Sequence, residues 1–137
     1  MTAAESAEKS AKTEWTPYEQ IGGEVTVRRL ADRFYEIMDS DPGAARIRAM
    51  HGQDLAPIRK LLFEFLSGWL GGPALYFQRP EHRCIMSAHR RFAIGEVERD
   101  EWMMCMRRAM DECALPADMR ALLDQAFWRM ANQFRNG

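Results

Sequence analysis

The stretch HRRFAIGEVERDEWMMCMRRAM, residues 89–110, places a histidine and a glycine ahead of a long run with helical spacing. Apolar residues recur in that run at steps of three and four: Trp102, Cys105, Met106, Ala109 and Met110. Such spacing puts them on one face, which predicts an amphipathic helix. Gly95 breaks the chain before this helix, and Leu115-Pro116 separates it from the next one because proline cannot continue a helix.

A second long helix is predicted after Leu115-Pro116. Its apolar residues keep the helical spacing and are expected to be buried: Met119, Leu122, Leu123, Ala126, Phe127, Met130 and Phe134. The strongest amphipathic segment lies upstream, with Asp54 as its expected N-cap and a single apolar stripe: Leu55, Ile58, Leu61, Leu62, Phe65, Leu66 and Trp69. Gly71-Gly72-Pro73 ends it, because glycine adopts the left-handed turn at a helix C-terminus.

The first third of the chain also predicts helices. Thr16 is the expected N-cap of a short helix with Pro17 in its first turn, where the missing N–H costs nothing. Gly22-Gly23 ends that helix. The next helix carries an apolar face that consists of Val27, Leu30, Ala31, Phe34, Tyr35 and Met38.

Turn-forming residues separate the remaining segments. Residues 39–43 (DSDPG) end the second helix, and a shorter piece runs to Met50 before a break at His51-Gly52. Residues 74–84 have no clear period and predict a loop, followed by a short helix around residues 85–89. No segment alternates strictly between apolar and polar residues, so the sequence predicts an all-α fold.

The length of 137 residues fits one domain, which we expect at residues 15–137. Residues 1–14 lack an apolar centre, which indicates a disordered tail and excludes a secretory signal. A formal net charge of -1 argues against a nucleic-acid binder, which normally carries a basic excess. Apolar runs fall far short of the roughly 18 residues that cross a bilayer, so we expect a cytoplasmic protein without a membrane partner.

Cysteine spacing argues against several metal sites. Cys84, Cys105 and Cys113 form no CxxC pair, so neither a zinc ribbon nor an iron–sulfur cluster is expected. The absence of CxxCH excludes a covalent c-type haem. Buried, reduced thiols are the simplest interpretation of the three cysteines.

The spacing of residues leaves the chemistry open. The three histidines, His51, His82 and His89, form no HExxH pair. Taken alone, His89 is more often an ordinary histidine than a ligand, and Tyr35 and Trp102 are more often core residues. Ten methionines and seven phenylalanines suit a pocket for a flat apolar cofactor, but they suit a core equally well.

Four stretches of the chain resemble the group II truncated haemoglobins, the globins with a two-over-two helical sandwich. These stretches are IGGEVTVRRLADRFYEIMD at 21–39, FLSGWLGGP at 65–73, HRRFAIG at 89–95 and ERDEWMMCMRRAM at 98–110. The resemblance covers nearly all of the predicted helical region. It implies an all-α sandwich that encloses non-covalent haem b.

The resemblance implies that His89 is the proximal histidine, the protein ligand of the haem iron. A neutral ring nitrogen binds the metal, while the other ring N–H donates to a carbonyl or carboxylate. Further residues are expected to wall the haem: Phe92 and Ile94 on the proximal side, and Ile58, Leu62 and Phe65 on the distal helix.

Tyr35 and Trp102 match the distal tyrosine and the tryptophan that distinguishes group II. Their O–H and N–H groups are expected to donate to bound O₂ and to slow its release. His51 falls at the bend where group II members carry Tyr, Phe or His. It could donate to the ligand or to Tyr35, bind the iron directly, or remain a polar bend histidine.

The chain departs from the family pattern beside the proximal histidine. Members often carry a basic residue before it and a proline two residues after it, where this sequence has Ala88 and Arg91. On charge alone, Lys60, Arg90 and Arg91 are candidates for pairing with the haem propionates, and they are equally expected as solvated side chains.

The function implied by the resemblance is the binding of O₂, NO or CO at a histidine-ligated iron. O₂ would be held tightly or would react, by dioxygenation of NO or by peroxidase-type chemistry. The alternative is a haem-based gas or redox sensor, or an electron-transfer module, acting through a partner. The expected partners are the small gases, an unidentified reductase and, in a homodimer, a second copy of the chain, but not nucleic acid.

Overall fold

The computed structural model describes residues 15–80 and 88–136, and within these ranges it contains helices and turns without a strand. The helices in chain order are α1 (Pro17–Ile21), α2 (Gly23–Ser40), α3 (Ala45–Ala49), α4 (Ala56–Trp69), α5 (Glu96–Glu112) and α6 (Ala117–Gln133), with one 3-10 turn at Pro42–Ala44. The predicted all-α fold is confirmed. The expected tail at 1–14, His82, Cys84 and most of the expected helix at 85–89 lie outside the described residues.

Helix α2 lies at the centre of the fold. It packs against α3, α4 and α5, while α5 also packs against α6. The predicted apolar face of α2 is buried along its whole length: Val27, Leu30, Ala31, Phe34, Tyr35 and Met38. Helix α5 contributes the fully buried Met103, Met106 and Met110. Methionine side chains are flexible and fill irregular gaps. The methionines of α5 therefore suit the packing of this helix against α2 in the core.

The helix ends near the start of the chain follow the sequence signals. Thr16 is the N-cap of α1, and its hydroxyl accepts a hydrogen bond from the N–H of Glu19 at 3.2 Å. Gly22 follows α1 with φ of 120°, in the left-handed region that glycine tolerates. The predicted boundary between α1 and α2 is therefore confirmed.

The start of α4 differs from the expectation. Its N-cap is Leu55 and not Asp54, because the chain enters the helix one residue later. The Asp54 carboxylate still accepts a hydrogen bond from the N–H of Ala56 at 3.0 Å, so it satisfies one of the free donors of the first turn. At the other end Gly71 has φ of 93°, as the predicted glycine stop requires.

The expected burial of Leu122 is wrong, since this side chain is 52% exposed. The buried residues of α6 recur at steps of four: Met119, Leu123, Phe127 and Ala131. Residues four positions apart lie on one narrow stripe of the helix. Leu122 is one position before Leu123 and is therefore rotated about 100° around the helix axis from this stripe. Leu122 therefore points away from the core.

Cys105 is buried and Cys113 is half-buried, and both are free thiols. Burial raises the pKa of Cys105 to about 12. Since the thiolate is the reactive form, Cys105 is chemically inert at neutral pH. None of the helices in the described ranges has both the length and the apolar composition needed to cross a membrane.

Candidate functional site

A cavity of about 710 Å³ lies between α2, α4, α5 and the segment 88–94. Its volume falls within the roughly 300–1,000 Å³ typical of pockets for cofactors and small molecules. Most of its wall is aliphatic or aromatic, with Phe34 and Met38 from α2, and Pro57, Ile58 and Leu61 from α4. Such walls exclude water and leave the orientation of a ligand to a few polar groups.

His89 enters the cavity from the segment that follows the gap in the described residues. Ala88 and His89 are helical, and a turn follows in which the N–H of Phe92 donates to the His89 carbonyl at 3.1 Å. The imidazole stacks on the ring of Phe134, with 4.3 Å between ring centroids and 11° between planes. Phe92 and Ile94 line the same cavity, so the structure brings these three predicted residues together.

Tyr35 and Trp102 line this cavity from α2 and α5. Phe34 lies between them, with its ring centroid 4.9 Å from that of Tyr35 and 5.2 Å from that of Trp102. Tyr35 is only 5% exposed, yet its hydroxyl has no hydrogen bond to another described residue. Burial raises the pKa of Tyr35 well above its ordinary value, so the hydroxyl keeps its proton and remains a donor.

His51 lines the cavity beside Tyr35, with the two ring centroids 5.7 Å apart. Its Nδ1 lies 2.7 Å from the carbonyl oxygen of Ile47. A carbonyl can only accept, so Nδ1 carries the hydrogen of this bond. Burial lowers the pKa of His51, and this outweighs the opposite effect of the hydrogen bond to Ile47, so the neutral ring is favoured. Its Nε2 then presents a lone pair.

Ile58 lines the cavity as predicted, but Leu62 and Phe65 are not among its described lining residues. Leu61, three residues after Ile58, lines the cavity at the place where Leu62 is expected. Phe65 instead packs on Tyr76, with 5.8 Å between ring centroids. Leu62 is half-buried against the helical core. The apolar stripe of α4 thus divides between cavity and core, which spacing alone does not reveal.

Comparison with known proteins places the chain in a family. The model of the bacterial-like globins matches residues 16–136. The chain belongs to this family. Solved structures of two-on-two haemoglobins of group II share its fold. The resemblance of the sequence to the group II truncated haemoglobins is therefore confirmed.

The relatives of this globin include the group 2 truncated haemoglobin YjbI of Bacillus subtilis, 35% identical over 107 residues that make up 78% of each protein. The group II 2-on-2 haemoglobin of Agrobacterium tumefaciens is 43% identical, with a TM-score of 0.85, covering 89% of this chain and 95% of that one. The cold-adapted truncated haemoglobin of Pseudoalteromonas haloplanktis TAC125 is 40% identical, with a TM-score of 0.86, covering 90% and 99%.

Membership of the globin family makes non-covalent haem b the cofactor and small gases such as O₂ the ligands. The cavity of this globin fits that cofactor on its own chemistry. Its walls are mostly apolar, His89 offers an imidazole, and the Tyr35 hydroxyl has no hydrogen bond to another described residue. The hydroxyl of a buried tyrosine usually finds a hydrogen-bond partner, so one that faces a cavity is suited to donate to a ligand bound there.

Arg79 and Arg99 line the cavity beside Arg91, and the sequence does not predict their positions. Arg79 forms a bidentate pair with Glu64, whose oxygen Oε2 lies 2.8 Å from Nη2. Glu64 is only 8% exposed, and the hydrogen bond from Arg79 lowers its pKa. Arg99 donates to Asn132 Oδ1 at 3.0 Å, and Arg91 lies over the ring of Phe92. Fifteen residues separate Glu64 from Arg79, so no helical spacing signals their pairing.

The three cations suggested on charge alone have different positions. Arg91 lines the cavity, whereas Lys60 and Arg90 are exposed and absent from its described lining. Arg91 has no ion pair with a described acidic residue. It is therefore the member of this set whose charge remains available at the cavity edge.

Proposed function

We propose that this globin binds O₂ reversibly and tightly, with His89 as the proximal ligand of the haem iron and Tyr35 and Trp102 as hydrogen-bond donors to the gas. One observation carries the proposal. Tyr35, a buried residue whose hydroxyl has no hydrogen bond to a described residue, lines the same cavity as His89 and Trp102. A hydroxyl that faces a cavity without a protein partner is free to donate to a ligand bound there.

Haem supplies the iron centre at which a diatomic gas can bind. The role of the chain is to hold that group and to shape the space around it. His89 offers a ring nitrogen whose lone pair can bind a metal, and Ile58, Phe92 and Ile94 exclude water from the pocket. Arg91 at the cavity edge is the cation best placed to pair with a propionate.

Tyr35 and Trp102 determine how long the gas stays. The pKa of Tyr35 is raised by burial, so its O–H remains a donor at every physiological pH. The indole N–H of Trp102 is a donor only. In an apolar cavity a hydrogen bond to a polarised O₂ ligand is stronger than in water, which favours retention of O₂.

Dissociation of O₂ after stopped-flow mixing tests this proposal. Tyr35→Phe and Trp102→Phe each remove one donor, at a cost of about 1–3 kcal/mol, so O₂ should dissociate about ten- to a hundredfold faster. Tyr18→Phe and Trp69→Phe change the same residue types outside the cavity lining and should leave the rate unchanged. Equal rates in all five proteins, including the wild type, would show that the gas is held by other groups.

The ligand assignment has its own test. His89→Ala should fold and lose stable haem binding, because no other described histidine has a comparable position in the segment 88–94. Retention of a five-coordinate, histidine-type ferrous spectrum in this variant would contradict the assignment. A steady-state assay of NO consumption with a reductase then separates storage of O₂ from dioxygenation of NO. In that reaction NO, O₂ and one electron from the reductase yield nitrate, so steady consumption of NO would indicate a catalyst.

A further inference from the structure

The residues that follow α6, Phe134 to Asn136, fold back onto the segment that carries His89. We call residues 134–136 the α6 extension. Asn136 makes three hydrogen bonds to this segment: its N–H donates to the Ile94 carbonyl at 2.8 Å, its Oδ1 accepts from the Ile94 N–H at 2.9 Å, and its Nδ2 donates to the Phe92 carbonyl at 2.7 Å. One side chain and its backbone thus join α6 to the chain just after His89.

Phe134 in the same extension contacts His89 directly. Its ring lies parallel to the imidazole, with 4.3 Å between centroids and 11° between planes. The lone pair of an imidazole nitrogen lies in the plane of the ring, so stacking on the face leaves that lone pair free to bind a metal. The stack therefore restrains the orientation of the ring without competing for its ligating atom.

His89 needs such a restraint. The torsion that rotates a histidine ring is broad and has no strongly preferred value. The segment that follows His89 offers little regular structure, since a turn begins at Arg90 and α5 starts only at Glu96. Metal-bound histidines are ordinarily oriented by an outer contact, and losing that contact weakens the site.

We propose that Phe134 and Asn136 are positioning residues for the proximal histidine. Phe134 fixes the plane of the His89 ring, and Asn136 holds the backbone of Phe92 and Ile94 in place behind it. This inference rests on the proposed role of His89 as the haem ligand. It extends the functional site to the end of α6, where Ala131 also lines the cavity.

Resonance Raman spectroscopy of the ferrous protein tests the inference, because the iron–histidine stretching band reports the orientation and strain of the proximal ring. Phe134→Leu should shift or broaden this band, and Phe134→Tyr should restore it because the aromatic ring is retained. Asn136→Ala should broaden the band without removing the stack. Gln133→Ala is the matched control, since Gln133 is exposed in the same last turn and has no described side-chain contact.

Haem transfer to an excess of an acceptor apoprotein provides a second readout. Phe134→Leu and Asn136→Ala should lose haem about tenfold faster, the lower end of the effect of removing an outer contact of a metal ligand. Gln133→Ala should match the wild type in both measurements.

The outcomes separate this inference from the proposed function. If Phe134→Leu and Asn136→Ala keep the wild-type band and haem-transfer rate, the positioning role is wrong while His89 remains the ligand. If Phe134→Leu fails to fold, Asn136→Ala decides the question by the same two readouts. If His89→Ala keeps the iron–histidine band, the ligand assignment itself fails, and the positioning role fails with it.

Discussion

At the scale of single residues, His51 shows how one hydrogen bond limits the chemistry of a side chain. The sequence allows it to donate to a ligand, to donate to Tyr35, to bind iron or to remain a polar histidine of the bend. In the structure Nδ1 donates to the Ile47 carbonyl at 2.7 Å, and burial favours the neutral ring by lowering the pKa. Nε2 of this neutral ring has no hydrogen to donate. Binding iron is therefore compatible with this tautomer, whereas donation from Nε2 to a ligand or to Tyr35 is not.

The first prediction concerns His51 as a sixth iron ligand. Because only the neutral imidazole can bind, a six-coordinate low-spin ferric form should be present above the pKa of His51 and fade as pH falls through it. Burial lowers this pKa, so the change should lie below about 6.5, the ordinary value. The measurement is the ferric absorption spectrum between about pH 5 and pH 8.

His51→Ala, which lacks the imidazole, should remain in one spin state over this range, and Gln53→Ala in the same bend should behave as the wild type. Identical spin states in the wild type and His51→Ala at every pH would show that His51 does not bind iron. It would then be a polar histidine of the bend, held by its hydrogen bond to the Ile47 carbonyl. Ordering the bend costs about 1–2 kcal/mol per residue, which opposes ligation.

At the scale of secondary-structure elements, the junction of α1 with the end of α4 depends on a close approach. The N–H of Tyr18 donates to the Leu70 carbonyl at 2.9 Å, which ties α1 to the last turn of α4. The ring of Tyr18 then lies against Gly72, where a Cβ atom would stand 2.5 Å from the nearest ring carbon. This contact explains why position 72 carries a residue without a side chain.

The second prediction is that Gly72→Ala destabilises the protein by about 1–3 kcal/mol, as overpacking at a close contact does. Gly52→Ala is the matched control, because a Cβ at Gly52 would meet nothing within 4 Å and its backbone needs no left-handed conformation. Urea unfolding followed by far-ultraviolet circular dichroism measures both. Equal midpoints for the two variants would mean that Tyr18 moves aside without cost.

The helices and most of their ends could be predicted from the sequence, because their signals are local. Thr16 and Gly22 act within one helical turn of the residues they affect. The phase of α4 could not be predicted, since Leu61 and Leu62 are both apolar and only the packing decides which of them faces the cavity. Periodicity identifies an apolar stripe but does not say which neighbour covers each part of it.

The candidate site was predictable to the extent that a family motif carries it. His89, Tyr35 and Trp102 were expected together through the resemblance, and the structure places all three at one cavity. The contacts of Phe134 with His89 and of Asn136 with Ile94 have no such signal. They join residues more than 40 positions apart in the chain, and contacts at that separation arise only from the fold.

At the scale of the whole molecule, the cavity couples the cofactor to the fold. Residues of α2, α4, α5 and α6 border the same space of about 710 Å³, so all four long helices meet around it. Apolar side chains that line an unfilled cavity lose the dispersion contacts that a ligand would provide. Haem is therefore expected to act as a part of the core and not only as the site of gas binding.

The last prediction is that removal of haem lowers the free energy of unfolding. A ligand that binds only the folded chain stabilises it by about 2.7 kcal/mol at a hundredfold excess over its Kd and by about 4.1 kcal/mol at a thousandfold excess. Urea unfolding of the haem-free protein, repeated with increasing haem, should move the midpoint upward with concentration. His89→Ala should show a much smaller shift, because the ligand that ties the cofactor to the segment 88–94 is absent, while Gln133→Ala should follow the wild type. A midpoint that is independent of haem concentration in the wild type would show that the cavity forms and holds its shape without the cofactor, and the coupling argued from its position among the four helices would be wrong.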